Sequence, residues 1–154
     1  MVNRRIILAL PLLLAVPALA QPADPLVAAL VACWQARGIR FTVEQVAARI
    51  GGRTGRDALL AVAGAAISAD EDEVESAVEI LWEAGVAPSP ARPLLERDLA
   101  KGLPLLLITS DGRALLLHAL DGRSAMASDP LSGQRLALTM NEIALIGRPV
   151  IAGA

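Results

Sequence analysis

The chain is short of the residues from which most sites are built. It has one cysteine, Cys33, and one histidine, His118. A lone cysteine excludes an intrachain disulfide and a multi-cysteine metal site. A lone histidine leaves a His-based metal site without partners, so neither a metal nor another cofactor is expected. Tyrosine is absent, and the aromatic residues are Trp34, Trp82 and Phe41. Lys101 is the single lysine, the formal net charge is −2, and no Lys/Arg stripe runs along any segment, which argues against nucleic acid as a partner. The glycine-rich stretch Gly51-Gly52-Arg53-Thr54-Gly55-Arg56 lacks the G-K-[ST] of a phosphate loop and does not follow a strand, so no nucleotide is expected. The nucleophile elbow G-x-S-x-G does not occur. The acidic run Asp70-Glu71-Asp72-Glu73 lacks the glycine and trailing glutamate of a calcium loop; it reads as the first turn of a helix, where acids favour the dipole.

Apolar residues are plentiful, at 55% of the chain, and 154 residues suffice for one domain around one core. Residues 1–20 read as a signal peptide: Arg4 and Arg5 open it, an apolar run follows, and Ala18-Leu19-Ala20 precedes Gln21. The run from Ile6 to Ala20 is fifteen residues with Pro11 and Pro17 inside, short of the roughly 20 that a membrane span needs. The expected product is a single domain over residues 21–154, exported to the periplasm. Were the start codon mis-assigned or the chain a fragment, the same domain would lie at the cytoplasmic face of the inner membrane.

The first half reads as helical. Asp24-Pro25 supplies an N-cap and a proline at the first helical position. Leu26 to Trp34 is apolar all round, which predicts a central, buried helix, and Gly38 ends it with a left-handed cap. Thr42 and Gln45 have the capping-box spacing, with Phe41 and Val46 as the hydrophobic staple of a second helix that stops at Gly51-Gly52. A third helix is expected over Asp57–Ala65. A fourth is expected after Ser68, with Val74, Ala77, Val78, Leu81 and Trp82 on one side and Gly85 at its end. Pro88, Pro90 and Pro93 mark a connector.

The second half reads as an antiparallel meander. Asp111-Gly112 and Asp121-Gly122 are hairpin signals, and Ser132-Gly133 is a third turn. The expected strands are Leu103–Thr109, Arg113–Leu120, Arg123–Ser128 and Gln134–Thr139. A short helix over Met140–Leu145 and a last strand over Arg148–Ala152 follow, with Pro149 limiting that strand to an edge or a strand start. Helices followed by an antiparallel sheet define the α+β class. Cys33, late in an apolar helix, reads as a buried inert thiol, because an activated thiolate favours a helix N-terminus. His118 reads as a packed histidine sharing a sheet face with Leu116 and Leu120.

Four segments in order resemble the C39 peptidase family, and more closely its degenerate domains at the N-terminus of type I secretion ABC exporters. They are DPLVAALVACWQARGIRFTVEQVAARI (Asp24–Ile50), VESAVEILWEAGVAPSPARPLLERDLAKGLPLLLI (Val74–Ile108), DGRALLLHALDGRSAMASDPLSGQ (Asp111–Gln134) and LTMNEIALIGRPVIAG (Leu138–Gly153). The resemblance implies a papain-like fold. Counted back from Gly38, the family's nucleophilic cysteine falls on Pro25, and its assisting glutamine falls on Leu19. The family's histidine falls on Arg113, after Gly112. The third member, an aspartate, is kept as Asp129. Cys33 is eight residues past Pro25 and His118 five past Arg113, so neither replaces the missing pair. The implied protein is not an enzyme. It is a binding module for an unfolded or extended polypeptide, linked to type I protein secretion, with the exporter a separate chain. The alternatives are an exported accessory or structural protein that kept only the fold, and a thiol peptidase with a relocated site. A one-residue bulge at Gly122 would set Asp129 opposite Arg113 and pair the two charges.

Overall fold

A computed structural model describes residues 24–63, 77–86 and 90–151. Among the described residues the architecture is α+β, with four α-helices and a six-stranded antiparallel sheet. The chain runs α1 (Pro25–Ala36), α2 (Val43–Ile50), α3 (Gly55–Ala63), β1 (Val78–Glu83), α4 (Arg92–Ala100), β2 (Leu105–Thr109), β3 (Ala114–Leu120), β4 (Ser124–Ser128), β5 (Arg135–Thr139) and β6 (Ile143–Pro149). The strand order is β1-β6-β2-β3-β4-β5. The expected signal peptide over residues 1–20 lies outside the described residues. Among the described residues, no helix is long and apolar enough to cross a membrane.

The first helix forms for the reasons legible in its sequence. The Asp24 carboxylate accepts from the Leu26 N–H at 2.9 Å, and Pro25 needs no partner at the first position. At the other end the Ile39 N–H reaches the Trp34 carbonyl and the Gly38 N–H reaches the Gln35 carbonyl, a Schellman closure that needs the positive φ of Gly38 (78°). Leu30, Cys33 and Trp34 are fully buried. The Thr42–Gln45 capping box of α2 closes at 3.1 and 2.9 Å, and Phe41 meets Trp34 edge to face at 4.8 Å. With α3, these helices cover one face of the sheet through Leu106, Ile108 and Ala114. The other face, Leu105, Leu107, Leu115 and Leu117, packs against Leu95 of α4. Alternation along β2 and β3 thus gives each face its own core.

Four expected segments differ. The C-terminal half of the expected fourth helix is β1; its N-terminal part lies outside the described residues. The β1–β6 register shifts between Ile80 and Trp82, so Leu81 and Trp82 turn to the α4 face while Val78 and Ile80 stay on the other. A bulge of this kind breaks the period of two and imitates helical spacing. The connector holds α4: Pro93 sits in its first turn, where a missing N–H costs nothing. Only Met140–Glu142 of the expected helix after β5 is helical, as a 3-10 turn, and the last strand starts earlier, at Ile143. That strand lies between β1 and β2 rather than at an edge; Pro149 is tolerated there as its final residue.

The four meander strands stand within two residues of expectation. The β2–β3 loop is a turn closed by Gly112 N–H to Thr109 carbonyl (2.9 Å), with Gly112 at φ 86°. The β3–β4 register overturns the expected Gly122 bulge. Asp121 comes before the turn instead of inside it: its carboxylate accepts from the N–H groups of Arg123 (2.8 Å) and Ser124 (2.7 Å). Leu120 then faces Ala125, and the register slips between Leu117 and Ala119, at His118. The bulge moves Leu120 to the α4 face, away from Leu116, so His118, Leu116 and Leu120 do not share a face as alternation predicts.

Candidate functional site

The N-terminal end of α1 opens into a cleft of about 270 Å³. Pro25, Arg113 and Asp129 all line it, joined by Arg53 and Thr54 from the α2–α3 loop and by Asp24. Three segments distant in the sequence therefore meet here: the first turn of α1, the residue before β3, and the turn after β4. The cleft carries two acids, Asp24 and Asp129, and two arginines, Arg53 and Arg113. Cys33 and His118 do not line it.

Each of the two charged positions is held by its own turn. Arg113 donates its N–H to Thr109 Oγ1 at 2.9 Å, and its Nε donates to Asp111 Oδ2 at 3.0 Å and Oδ1 at 3.3 Å. Thr109 Oγ1 also donates to Asp111. Asp129 accepts from the N–H groups of Leu131 (2.8 Å) and Ser132 (2.9 Å), which organises the Asp129–Gly133 turn. These hydrogen bonds, Ser132 first and then Leu131, hold the Asp129 carboxyl below its ordinary range, with a smaller contribution from the nearby Arg113 charge. No ion pair joins Arg113 to Asp129. The expected pairing fails because Ser128 faces Leu116, which sets Asp129 level with Leu115 rather than Arg113. Arg113 takes Asp111 instead.

The remaining thiol and imidazole sit elsewhere. Cys33 is fully buried, and burial pushes its thiol up to about 12 despite the opposing influence of Arg37. It is protonated at neutral pH. His118 Nε2 and Ser128 Oγ are 2.6 Å apart on β3 and β4. Partial burial, and then the Arg135 charge, hold its imidazole below the ordinary range. Among the described residues no group of His, Cys, Asp and Glu could hold a metal ion.

A second cleft, of about 470 Å³, lies at the C-terminal end of α1. Its centre is Asp98, a carboxylate on α4 that is only 4% exposed. Arg37 Nη2 reaches it at 3.2 Å, while Arg37 Nη1 donates to the carbonyls of Cys33 (2.9 Å) and Pro104 (2.7 Å). Arg97 Nε stands 3.5 Å and Arg148 Nε 3.9 Å from the same carboxylate. Sequence reasoning missed this cluster entirely, because its members come from α1, α4 and β6 with no shared motif. A buried acid in a segment read as a connector leaves no signal without knowledge of α4. No family model matches the chain, and no curated protein or solved structure matches it.

Proposed function

We propose that the chain is a catalytically inactive C39 peptidase-like domain of papain-like fold, which binds an extended or unfolded polypeptide in support of type I protein secretion, with the exporter a separate chain. The observation that carries this reading is the convergence of Pro25, Arg113 and Asp129 on one cleft. Those are the positions where the resemblance sets nucleophile, base and base-orienting acid. Thiol peptidase chemistry needs a nucleophile and a base in contact; proline supplies neither, and an arginine held on Asp111 offers hydrogen-bond donors and no acceptor. A half-apolar cleft beside the sheet suits a peptide backbone, and β5 at the end of the sheet order offers an edge for an added strand.

The test is titration of the protein with a fluorescein-labelled disordered polypeptide, read by anisotropy and by amide shifts in NMR. Saturable binding that shifts Leu26, Gly112 and Ala114, with the polypeptide left intact, is the expected outcome. Cleavage of the polypeptide would sink the inactive assignment, and an absence of shifts around the cleft would sink the binding assignment.

A further inference from the structure

The cleft at the C-terminal end of α1 is unbalanced in charge. Arg37, Arg97, Lys101 and Arg148 line it against the single carboxylate of Asp98. The Glu79 carboxylate beside Arg148 and about half a negative charge from each of the C-termini of α1 and α4 still leave roughly one positive charge in excess. The chain as a whole has a formal net charge of −2, so the surplus is local. Arg148 makes the imbalance acute. Its side chain is 18% exposed, and the carboxylate oxygens beside it, Glu79 Oε2 at 3.5 Å and Asp98 Oδ2 at 3.9 Å, lie beyond good hydrogen-bonding distance. Its Nε and Nη1 atoms are buried without a hydrogen-bond partner. Buried guanidinium hydrogens without an acceptor are costly, and the group remains a strong donor to any anion that reaches it. The rest of the wall is apolar, from Ile39, Leu103, Val150 and Ile151.

We propose that this cleft is a binding site for an oxyanion, carboxylate or phosphate, carried on an apolar body. The anion sits among Arg97, Lys101 and Arg148, and the apolar part lies against Leu103 and Val150. Arg37 stays bound to Asp98 and the carbonyls and forms the floor. Neither the resemblance nor the cleft at the other end of α1 bears on this assignment.

The full chain titrated at low ionic strength with sodium hexanoate and, separately, with inorganic phosphate tests it by amide NMR. At least one probe should give saturable shifts at Gly38, Ile39, Leu103 and Val150, weakening as salt is added. Tighter hexanoate binding identifies a carboxylate on an apolar chain; tighter phosphate binding identifies a phosphoryl group. Arg97 and Lys101 are exposed, so Arg97→Gln with Lys101→Gln leaves the fold in place and should weaken binding about tenfold. Arg148→Lys, which keeps the charge and removes the fork, should weaken it as well. Absence of saturable shifts with both probes, or affinity unchanged in the double variant, overturns the site.

Discussion

The two ends of α1 face clefts of different electrical character, one balanced and one positive. At the N-terminal end two acids and two arginines line the space, and each charge is satisfied locally or balanced across it. At the C-terminal end four cations surround one buried acid. The 12 residues of α1 separate the two by about 18 Å. The first cleft is built from turns: Asp24, Asp111 and Asp129 each accept from backbone or side-chain groups within three residues in sequence. The second is built from long-range contacts, with Arg37 bound 61 residues away to Asp98. Charges held by their own turns are spent on the backbone. Charges brought together by packing retain unmet hydrogen-bonding capacity, and that is where a ligand gains most.

The largest expected effect is at the buried acid. Asp98→Ala leaves Arg37 and Arg148 without their carboxylate in a desolvated place and should cost about 3–5 kcal/mol in urea melts. A cost under about 1 kcal/mol would mean that water already neutralises the cluster, and the contrast between the clefts would fall. Leu30→Ala comes next. Leu30 is fully buried midway along the helix that spans both clefts, so the truncation should cost about 2–5 kcal/mol, measured the same way. Both clefts should loosen together, seen as shifts at Leu26 and at Gly38; a change at one end alone would show that the helix does not couple them.

Acid should act on the turn-built side. The carboxyls of Asp111, Asp121, Asp129 and Glu142 are all held below their ordinary range by hydrogen bonds. Groups with depressed folded-state values contribute stability that is fully present above the unfolded carboxylate range, about 4, and is lost as the pH falls through the lower folded values. Urea midpoints measured from pH 7 downward should therefore drop in that acid window, and Asp129→Asn should shallow the drop. An unchanged slope in the variant would show that the Asp129 turn does not survive in solution. The smallest effect concerns Cys33, between the two clefts. With its thiol pushed up to about 12 by burial, iodoacetamide should leave native protein unlabelled at pH 7 and modify it rapidly only after denaturation. Rapid native labelling would restore the relocated peptidase reading. A further check on the N-terminal cleft is Arg113→His, which should confer no hydrolysis on its own, since Pro25 offers no nucleophile. Hydrolysis by that variant would reveal another nucleophile.

Local chemistry in the sequence determined the parts of this protein whose partners lie within a few residues. The caps of α1 and α2, the buried character of α1, the four meander strands and the α+β class follow from Asp24, Gly38, Thr42, Gln45 and the Asp-Gly turns, whose hydrogen bonds close inside one segment. The meeting of Pro25, Arg113 and Asp129 was legible only as a consequence of the resemblance, and the contact expected between the last two was not, because the β3–β4 turn is centred on Gly122-Arg123 rather than Asp121-Gly122, and the one-residue bulge at His118 recovers only part of that shift in register. Tertiary structure alone decided β1, α4 and the interior place of β6. Leu81 and Trp82 carry a spacing that fits a helix or a bulged strand equally, and only pairing with β6 chooses between them. It also decided the Arg37–Asp98–Arg148 cluster, since charges from three elements acquire a common environment only when packing excludes the water between them.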